Sequence, residues 1–256
     1  MLRPRIIPCL LVKNGGLVKT VAFDTPKYVG DPINAVRIFN EKEVDELIVV
    51  DIDATVLGRE PDYGMIKNLA AECRMPLCYG GGVKSVEHIE RIISLGVEKV
   101  AFSSAVIQNP SLVSKAAERV GSQSIVVVMD VKKIGVGNRY ELYTHNGTRA
   151  TGLYPDVFVR QIEDLGAGEV VINAIDRDGM MKGYDLDLVK QVREATTLPL
   201  TVLGGAGSLK DIAGLIQSFG IIGAAAGSLF VFKGVYRAVL INYPNREDKD
   251  ALVTQV

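Results

Sequence analysis

The sequence predicts a single α/β domain, a (β/α)8 barrel. Three observations carry that prediction. Eight short apolar runs alternate with seven amphipathic helical patterns, with an eighth expected at the end, along the 256 residues, enough chain for one such barrel. The runs are continuously apolar rather than alternating, as parallel strands covered on both faces are. The second half of the chain also repeats the first at an offset of about 120 residues. An open doubly wound sheet is the other arrangement such units adopt.

The elements follow in order. IIPCLLV (6–12) precedes the helical pattern PINAVRIFNEK (32–42), and ELIVVDI (46–52) precedes MIKNLAAEC (65–73). PLCYGG (76–81) leads to SVEHIERIISLG (85–96), and KVAFSS (99–104) to SLVSKAAERVG (111–121). SIVVVMDV (124–131) pairs with PDVFVRQIEDLG (155–166), EVVINAI (169–175) with LDLVKQVREAT (186–196), and PLTVLGG (199–205) with SLKDIAGLIQSFG (208–220). GAAAGS (223–228) comes last, with a terminal helix expected after it. Helix fronts are marked by Asp31-Pro32, Ser85 and Ser208, whose side-chain oxygens can accept free backbone N–H groups. Gly96, Gly121, Gly166 and Gly220 follow helix ends, where the chain must turn left-handed.

The repeat is visible in pairs of segments. DELIVVDID (45–53) resembles GEVVINAID (168–176), and PLCYGGGVKSVEHIERIISLG (76–96) resembles PLTVLGGAGSLKDIAGLIQSFG (199–220). KVAFSSAV (99–106) parallels GAAAGSLF (223–230). The expected units are half-barrels, approximately 1–122 and 123–256. Each alone would leave open strand edges, so each needs the other. Residues 14–30 and 132–152 are the long connections; the second reads as a small hairpin with Asn146-Gly147 at its tip. Both belong at the C-terminal face, where barrel active sites form.

Composition excludes several classes. With 48% hydrophobic and 23% charged residues the chain can build a core. A net charge of −1 gives no global attraction to nucleic acid or an anionic membrane. The longest apolar stretch, GIIGAAAGSLFVF (220–232), is too short and glycine-rich to span a bilayer. The basic start MLRPRIIPCLLVK lacks the apolar core and cleavage site of a signal peptide. Cys9, Cys73, Cys78, His88 and His145 lack zinc-ligand spacing, so free thiols in a reducing cytoplasm, with no metal, are expected.

Glycine clusters fall at strand ends. GGGVKS (80–85) and GGAGS (204–208) place free N–H groups over the barrel mouth, with SSAV (103–106) and GSLF (227–230) at fronts of short helices. Such groups favour anions. Each half therefore offers a phosphate site: Gly82, Ser103 and Ser104 in one, Gly204, Gly205, Gly227 and Ser228 in the other. Glycine also serves ordinary tight turns, but two symmetric copies point to a ligand with a phosphate at each end. Between them stand Asp51, Asp53, Asp130, Asp176 and Asp178, acids that serve either chemistry or local turns. Lys13 and Lys19 add positive charge, and in IDRDG (175–179) Asp178 is placed to read a ligand while Gly179 offers an N–H.

RIIPCLLVK, DELIVVDI, YGGGV, NPSL (109–112), GSQSIVVVMDVK, AIDRDGMMKGYD and GGAG together resemble the cyclase subunit (HisF) of imidazole glycerol phosphate synthase, across almost the whole chain. The resemblance implies a half-barrel duplication without metal or organic cofactor. It implies ammonia from a separate HisH-like class I glutaminase, passed through the barrel to a bisphosphorylated ribulosyl substrate. The chemistry would be amination, cleavage and imidazole closure in histidine synthesis, with aspartates on strands 1 and 5 as general acid and base.

The carry-over is uneven. Arg5, Glu46, Lys99 and Glu169 match all four members of the family's charged ammonia gate, and Gln123 matches a partner-facing position. A plain salt-bridge network at the barrel bottom is the other reading of those four. Asp130 matches the strand-5 acid, but Leu11 stands where the strand-1 acid belongs. A leucine can neither donate nor accept a proton. Ser103 stands where the family has Asn, Asn173 where it has Thr, Leu203 for a small polar residue and Met180 for a Thr. The pattern resembles paralogues encoded with bacterial surface-sugar genes, where ammonia goes to a third protein that forms an amidino group on a nucleotide sugar or glycan. Two alternatives stand beside it. One is a working cyclase in which Asp176 or Asp51 replaces the missing acid. The other is a ligand-binding allosteric scaffold for the glutaminase.

Overall fold

The computed structural model describes residues 3–253 except 136, 138 and 235. Among these, eight parallel strands close into a barrel: β1 (Arg5–Lys13), β2 (Leu47–Asp51), β3 (Leu77–Gly80), β4 (Lys99–Phe102), β5 (Ile125–Lys133), β6 (Glu169–Ala174), β7 (Leu200–Leu203) and β8 (Gly223–Ala226). Each pairs with the next, and β8 returns to β1 with Arg5 opposite Gly223. Helices α1 (Pro32–Glu41), α2 (Tyr63–Glu72), α3 (Val86–Ser94), α4 (Ser111–Val120), α5 (Pro155–Asp164), α6 (Leu186–Arg193) and α7 (Leu209–Phe219) cover the outside.

Alternation along the strands builds two cores. On β1, Ile6, Leu10 and Val12 join the large cluster packed under the helices, whereas Ile7, Cys9 and Leu11 point into the barrel. Ile48, Cys78, Ala101, Val126, Val171, Leu203 and Ala225 fill the same interior from the other strands. The apolar runs are therefore continuous because both faces of every strand are covered.

The expected helix starts are present. Asp31, Ser85 and Ser208 accept N–H groups from the first turns of α1, α3 and α7. Ser208 forms a reciprocal capping box with Asp211, a pairing absent at Ser85.

The two long connections fold alike. β1 runs past the barrel and turns back through antiparallel strands Gly16–Val21 and Asp24–Gly30. β5 does the same through Tyr140–Thr144 and Arg149–Ala150, with Asn146-Gly147 at the tip as expected. Residues 136 and 138 of that connection lie outside the described residues. The first hairpin was not legible because Asp24–Gly30 is exposed or half-buried and carries no apolar period. The ending differs too. After β8 comes one short helical turn, Ser228–Val231, then a small ribbon, and only then α8 (Arg246–Val253). No helix among the described residues is long and apolar enough to cross a membrane.

Ser208→Ala removes one side of a capping box and is expected to lower the unfolding free energy by about 1 kcal/mol. Urea denaturation should find a smaller loss for Ser85→Ala, whose cap is one-sided.

Candidate functional site

Polar residues gather at the two ends of the barrel, and strand alternation populates both. At the bottom, Arg5, Glu46, Lys99 and Glu169 stand at the starts of β1, β2, β4 and β6 and meet in an alternating ring. Arg5 donates to Glu46 and, at 2.7 Å, to Glu169 Oε1. Lys99 Nζ donates to both Glu46 oxygens at 2.9 and 3.0 Å and to Glu169 Oε2 at 2.8 Å. A fifth member was missed in the sequence: Thr201 Oγ1 donates to Glu169 Oε1 at 2.6 Å and accepts from Arg5 at 3.3 Å. Its signal was available, since Thr201 precedes the inward-facing Leu203 by two residues. Gly223 on β8 leaves the room this needs, for a β-carbon there would collide with the Thr201 hydroxyl. Gln123 is exposed on the turn just before β5, at this same end.

The ring's charges hold one another. Burial pushes the Glu169 carboxyl upward, but Arg5 and Lys99 outweigh it and bring it below the ordinary carboxylate range. For Lys99 burial pulls down, and the two carboxylates more than restore it. Above the ring the interior is apolar and includes the buried Cys9 and Cys78. Burial raises both thiols, Cys9 to about 11, so neither is a ready nucleophile.

The C-terminal mouth opens into a cavity of about 530 Å³, within the range of small-molecule sites. It brings together Leu11, Lys19, Asp51, Gly82, Ser103, Ser104, Asp130, Asp178 and Gly227. Gly179, Gly204, Gly205 and Ser228 line an adjoining recess that shares Asp178 and Gly227 with it. The two sets of glycine loops thus face one mouth. Phe23, His145 and Asn146, from the two hairpins, also line it and were not anticipated as site residues. The tip assigned to Asn146-Gly147 was the signal that could have found the last two.

The charged groups differ in how far they are already engaged. Lys19 is buried, and its Nζ donates to the Cys9 carbonyl at 2.5 Å. Burial lowers its pKa. A β-carbon at 227 would meet Lys19 Nζ, so any other residue there would push the ammonium aside. This places the ammonium against the second glycine loop. Asp178 accepts from Thr20 Oγ1 at 2.7 Å, and its carbonyl takes the Ala22 N–H, docking the first hairpin on the loop after β6. Asp51 accepts the N–H groups of Asp53 and Ala54 at 3.0 and 3.1 Å. Asp53 lies 3.6 Å from Lys13, which does not line the cavity. Asp176 is exposed and accepts the Lys133 N–H. Three of the five strand-end acids are therefore committed to turns or a surface pair.

Asp130 is different. It faces the cavity with Leu11, Val50, Val128 and Leu203 around it, and its one hydrogen-bond donor among the described residues is Asn173 at 3.0 Å. Burial raises its carboxyl, Asn173 lowers it, Asp178 raises it further, and the net value is about 7. That suits a group exchanging protons near neutrality. The Ser103 hydroxyl, which lines the cavity, is buried without a hydrogen-bond partner. Among the described residues no cluster of His, Cys, Asp or Glu is arranged to hold a metal ion.

Residues 5–237 match the model of the histidine biosynthesis protein family. The chain is 58% identical over 252 residues to a protein of Leptospira interrogans named "Putative imidazole glycerol phosphate synthase subunit HisF", covering 98% of this chain and 99% of that one. A Vibrio vulnificus protein with a name of the same form is 60% identical over 249 residues, 97% and 96% of the two chains. A protein of Alkaliphilus metalliredigens named imidazole glycerol phosphate synthase subunit HisF, without that qualifier, is 39% identical over 235 residues, 92% and 93% of the two chains.

Glu169→Gln leaves a buried positive charge under-paired, and a loss of about 3–5 kcal/mol at pH 7 is expected. Because the folded Glu169 pKa is depressed, that contribution is present above the unfolded value of about 4.3 and disappears as pH falls through the folded value. Denaturation from pH 7 to 3 should show the gap between the two proteins closing. Asp130 has the opposite sign. Its raised pKa stabilises the fold below the unfolded value of about 3.9, and that contribution is lost as pH climbs to about 7. Asp130→Asn should remove this slope and gain on the wild type across that interval.

Proposed function

The chain belongs to the HisF family of imidazole glycerol phosphate synthase subunits, and from that premise we propose that it receives ammonia from a HisH-like glutaminase and conducts it through the barrel without closing an imidazole ring. The single observation behind this reading is the contrast between the ends. All four ring positions, Arg5, Glu46, Lys99 and Glu169, carry the charges that the family's gate requires, in one hydrogen-bonded network. At the mouth, Leu11 occupies the position of one of the two acids.

The rest follows from chemistry. The apolar interior between ring and mouth favours neutral NH3 over ammonium, whose charge would be costly to bury. Arg5, Glu46, Lys99 and Glu169 form the gate, and Gln123 belongs to the glutaminase interface. Gly82, Ser103 and Ser104 at one side, with Lys19, Asp178, Gly179, Gly204, Gly205, Gly227 and Ser228 at the other, hold a ligand with two phosphates. Asp51, which lines the cavity beside the first loop, belongs to the same ligand-binding set. Without a proton donor at position 11 the ammonia passes to a further acceptor. By resemblance to paralogues of surface-sugar clusters, that acceptor belongs to a third, sugar-amidating enzyme acting on a bacterial lipopolysaccharide sugar in the cytoplasm.

A working cyclase is less favoured, because the stand-ins are engaged: Asp51 by two backbone N–H groups, Asp176 by Lys133. A scaffold that binds a bisphosphate only to activate its glutaminase would need no ammonia path at all.

The test is turnover with ammonium salt and the family's ribulosyl bisphosphate substrate. The expected rate is about 10²–10⁴-fold below that of a cyclase with both acids, and Leu11→Asp should recover a large part of it. Full turnover by the unaltered chain would sink the proposal. Equal rates before and after Leu11→Asp would count against the role given to that position.

A further inference from the structure

Asp130 on β5 and Asn173 on β6 are register partners on neighbouring parallel strands. Strands lie about 4.8 Å apart, and both side chains point into the mouth, so they meet. Asn173 Nδ2 donates to Asp130 Oδ1 at 3.0 Å. Asn173 is only 7% exposed, and its Oδ1 is buried without a hydrogen-bond partner. A buried amide oxygen left without a donor is unusual and costly.

The unpaired oxygen acquires a use once Asp130 changes charge. A carboxamide carries a donor and an acceptor on one flat group, and half a turn about its last bond exchanges them. With the nitrogen toward Asp130 the amide complements a carboxylate. With the oxygen toward Asp130 it accepts from a carboxylic acid. Asn173 can therefore match either state, which neither a carboxylate nor a lysine at that position would do.

Nothing else around Asp130 substitutes for this. Leu11, Val128 and Leu203 are apolar. The other charged or titratable groups at the mouth are Asp178, Lys19, Asp51, Lys84, Cys9, Cys78 and His145; Asp51 accepts the Asp53 and Ala54 N–H groups, Lys84 donates to the Gly58 carbonyl, and the Cys78 thiol is buried. Asp178 is held by Thr20, Lys19 by the Cys9 carbonyl, and the Cys9 thiol is buried. Arg149 Nη1 sits 3.1 Å from His145 Nε2, and a guanidinium only donates, so that nitrogen carries a lone pair and the ring is neutral. Tyr143 is the register partner of Asp130 on the hairpin side.

We propose that Asp130 and Asn173 form a self-contained proton-transfer pair, in which Asn173 is the positioning residue that aims the carboxyl and turns its amide over as Asp130 gains or loses a proton. Asp130 Oδ2, the oxygen Asn173 leaves free, takes a proton from an N–H or O–H of a small molecule in the mouth, and the carboxyl group then turns to present that O–H to the Asn173 amide oxygen. The carboxylate becomes a carboxylic acid, the electron pair stays on the nitrogen or oxygen that loses the proton, and the same atom returns the proton in the reverse step. The pair needs no acid at position 11, which accounts for an acid kept opposite a leucine. It goes beyond the route of the ammonia and does not depend on the identity of the acceptor.

The experiment is an NMR titration of the full chain from pH 5 to 9, with Asp carboxyl carbons labelled with ¹³C and Asn side chains with ¹⁵N. Asp130→Asn identifies the Asp130 signal. The expected result is a carboxyl midpoint near the value of about 7, with the Asn173 amide signals moving through the same midpoint. In Asn173→Ala the carboxylate loses its donor, and its midpoint should rise by about one to two units. Asn173→Thr, whose hydroxyl both donates and accepts, should rise less. Three outcomes overturn the proposal: amide signals that ignore the Asp130 titration, the same amide titration persisting in Asp130→Asn, or an unchanged midpoint in Asn173→Ala. Should Asn173→Ala fail to fold, the wild-type amide titration and its loss in Asp130→Asn decide alone.

Discussion

Closing eight parallel strands into a ring sends every second side chain of every strand into one narrow interior. The rest of the molecule follows from that constraint. Inward positions cannot reach water except at the two ends, so polar groups in the interior must sit at those ends or find partners. The chain obeys this closely. Charged residues occupy the first inward position of β1, β4 and β6 and the position just before β2, apolar residues the middle, and Asp130 and Asn173 the last inward positions of β5 and β6, beside the apolar Leu11, Val50 and Leu203. The gate-like ring and the ligand cavity are thus opposite ends of one packed column of side chains.

The ends differ in how completely their polar groups are satisfied. At the bottom each carboxylate of Glu46 and Glu169 meets both a lysine and an arginine, and Thr201 closes the remaining gap. Such a network is rigid and tolerates no missing member. At the mouth the Ser103 hydroxyl and the Asn173 amide oxygen are unpartnered, and Asp130 has a single donor. Incomplete satisfaction in a folded core is tolerated where a ligand or a proton completes it. The unpartnered groups at the mouth are thus open to a ligand, whereas the ring at the bottom already satisfies its own charges.

The two hairpins join these halves at the top. Both arise where a barrel strand, β1 or β5, overruns the barrel and folds back. The first delivers Lys19 and Thr20 to the second half's glycine loop, and the second delivers His145 and Asn146 over the cavity. Internal repetition thus appears in the excursions as well as in the strands and caps, and each excursion supplies groups to a mouth shared by both halves.

Strand and helix order, the eightfold count, the caps and the repeat were legible in the residues because they depend on local apolar period and on side chains that bond within one turn of the backbone. The ring was legible through the family resemblance, which matched four charges at strand starts. What the sequence could not contain was register, which decides which residues meet across strands. Register set Thr201 beside Glu169 and Asn173 beside Asp130, put Lys19 against Gly227, and tied Asp176 to the Lys133 N–H. Leu11 shows both sides of this division. Its identity told that an acid was missing, and the tertiary structure decided what the remaining acid has for a partner, because only packing brings together residues 43 positions apart in the chain.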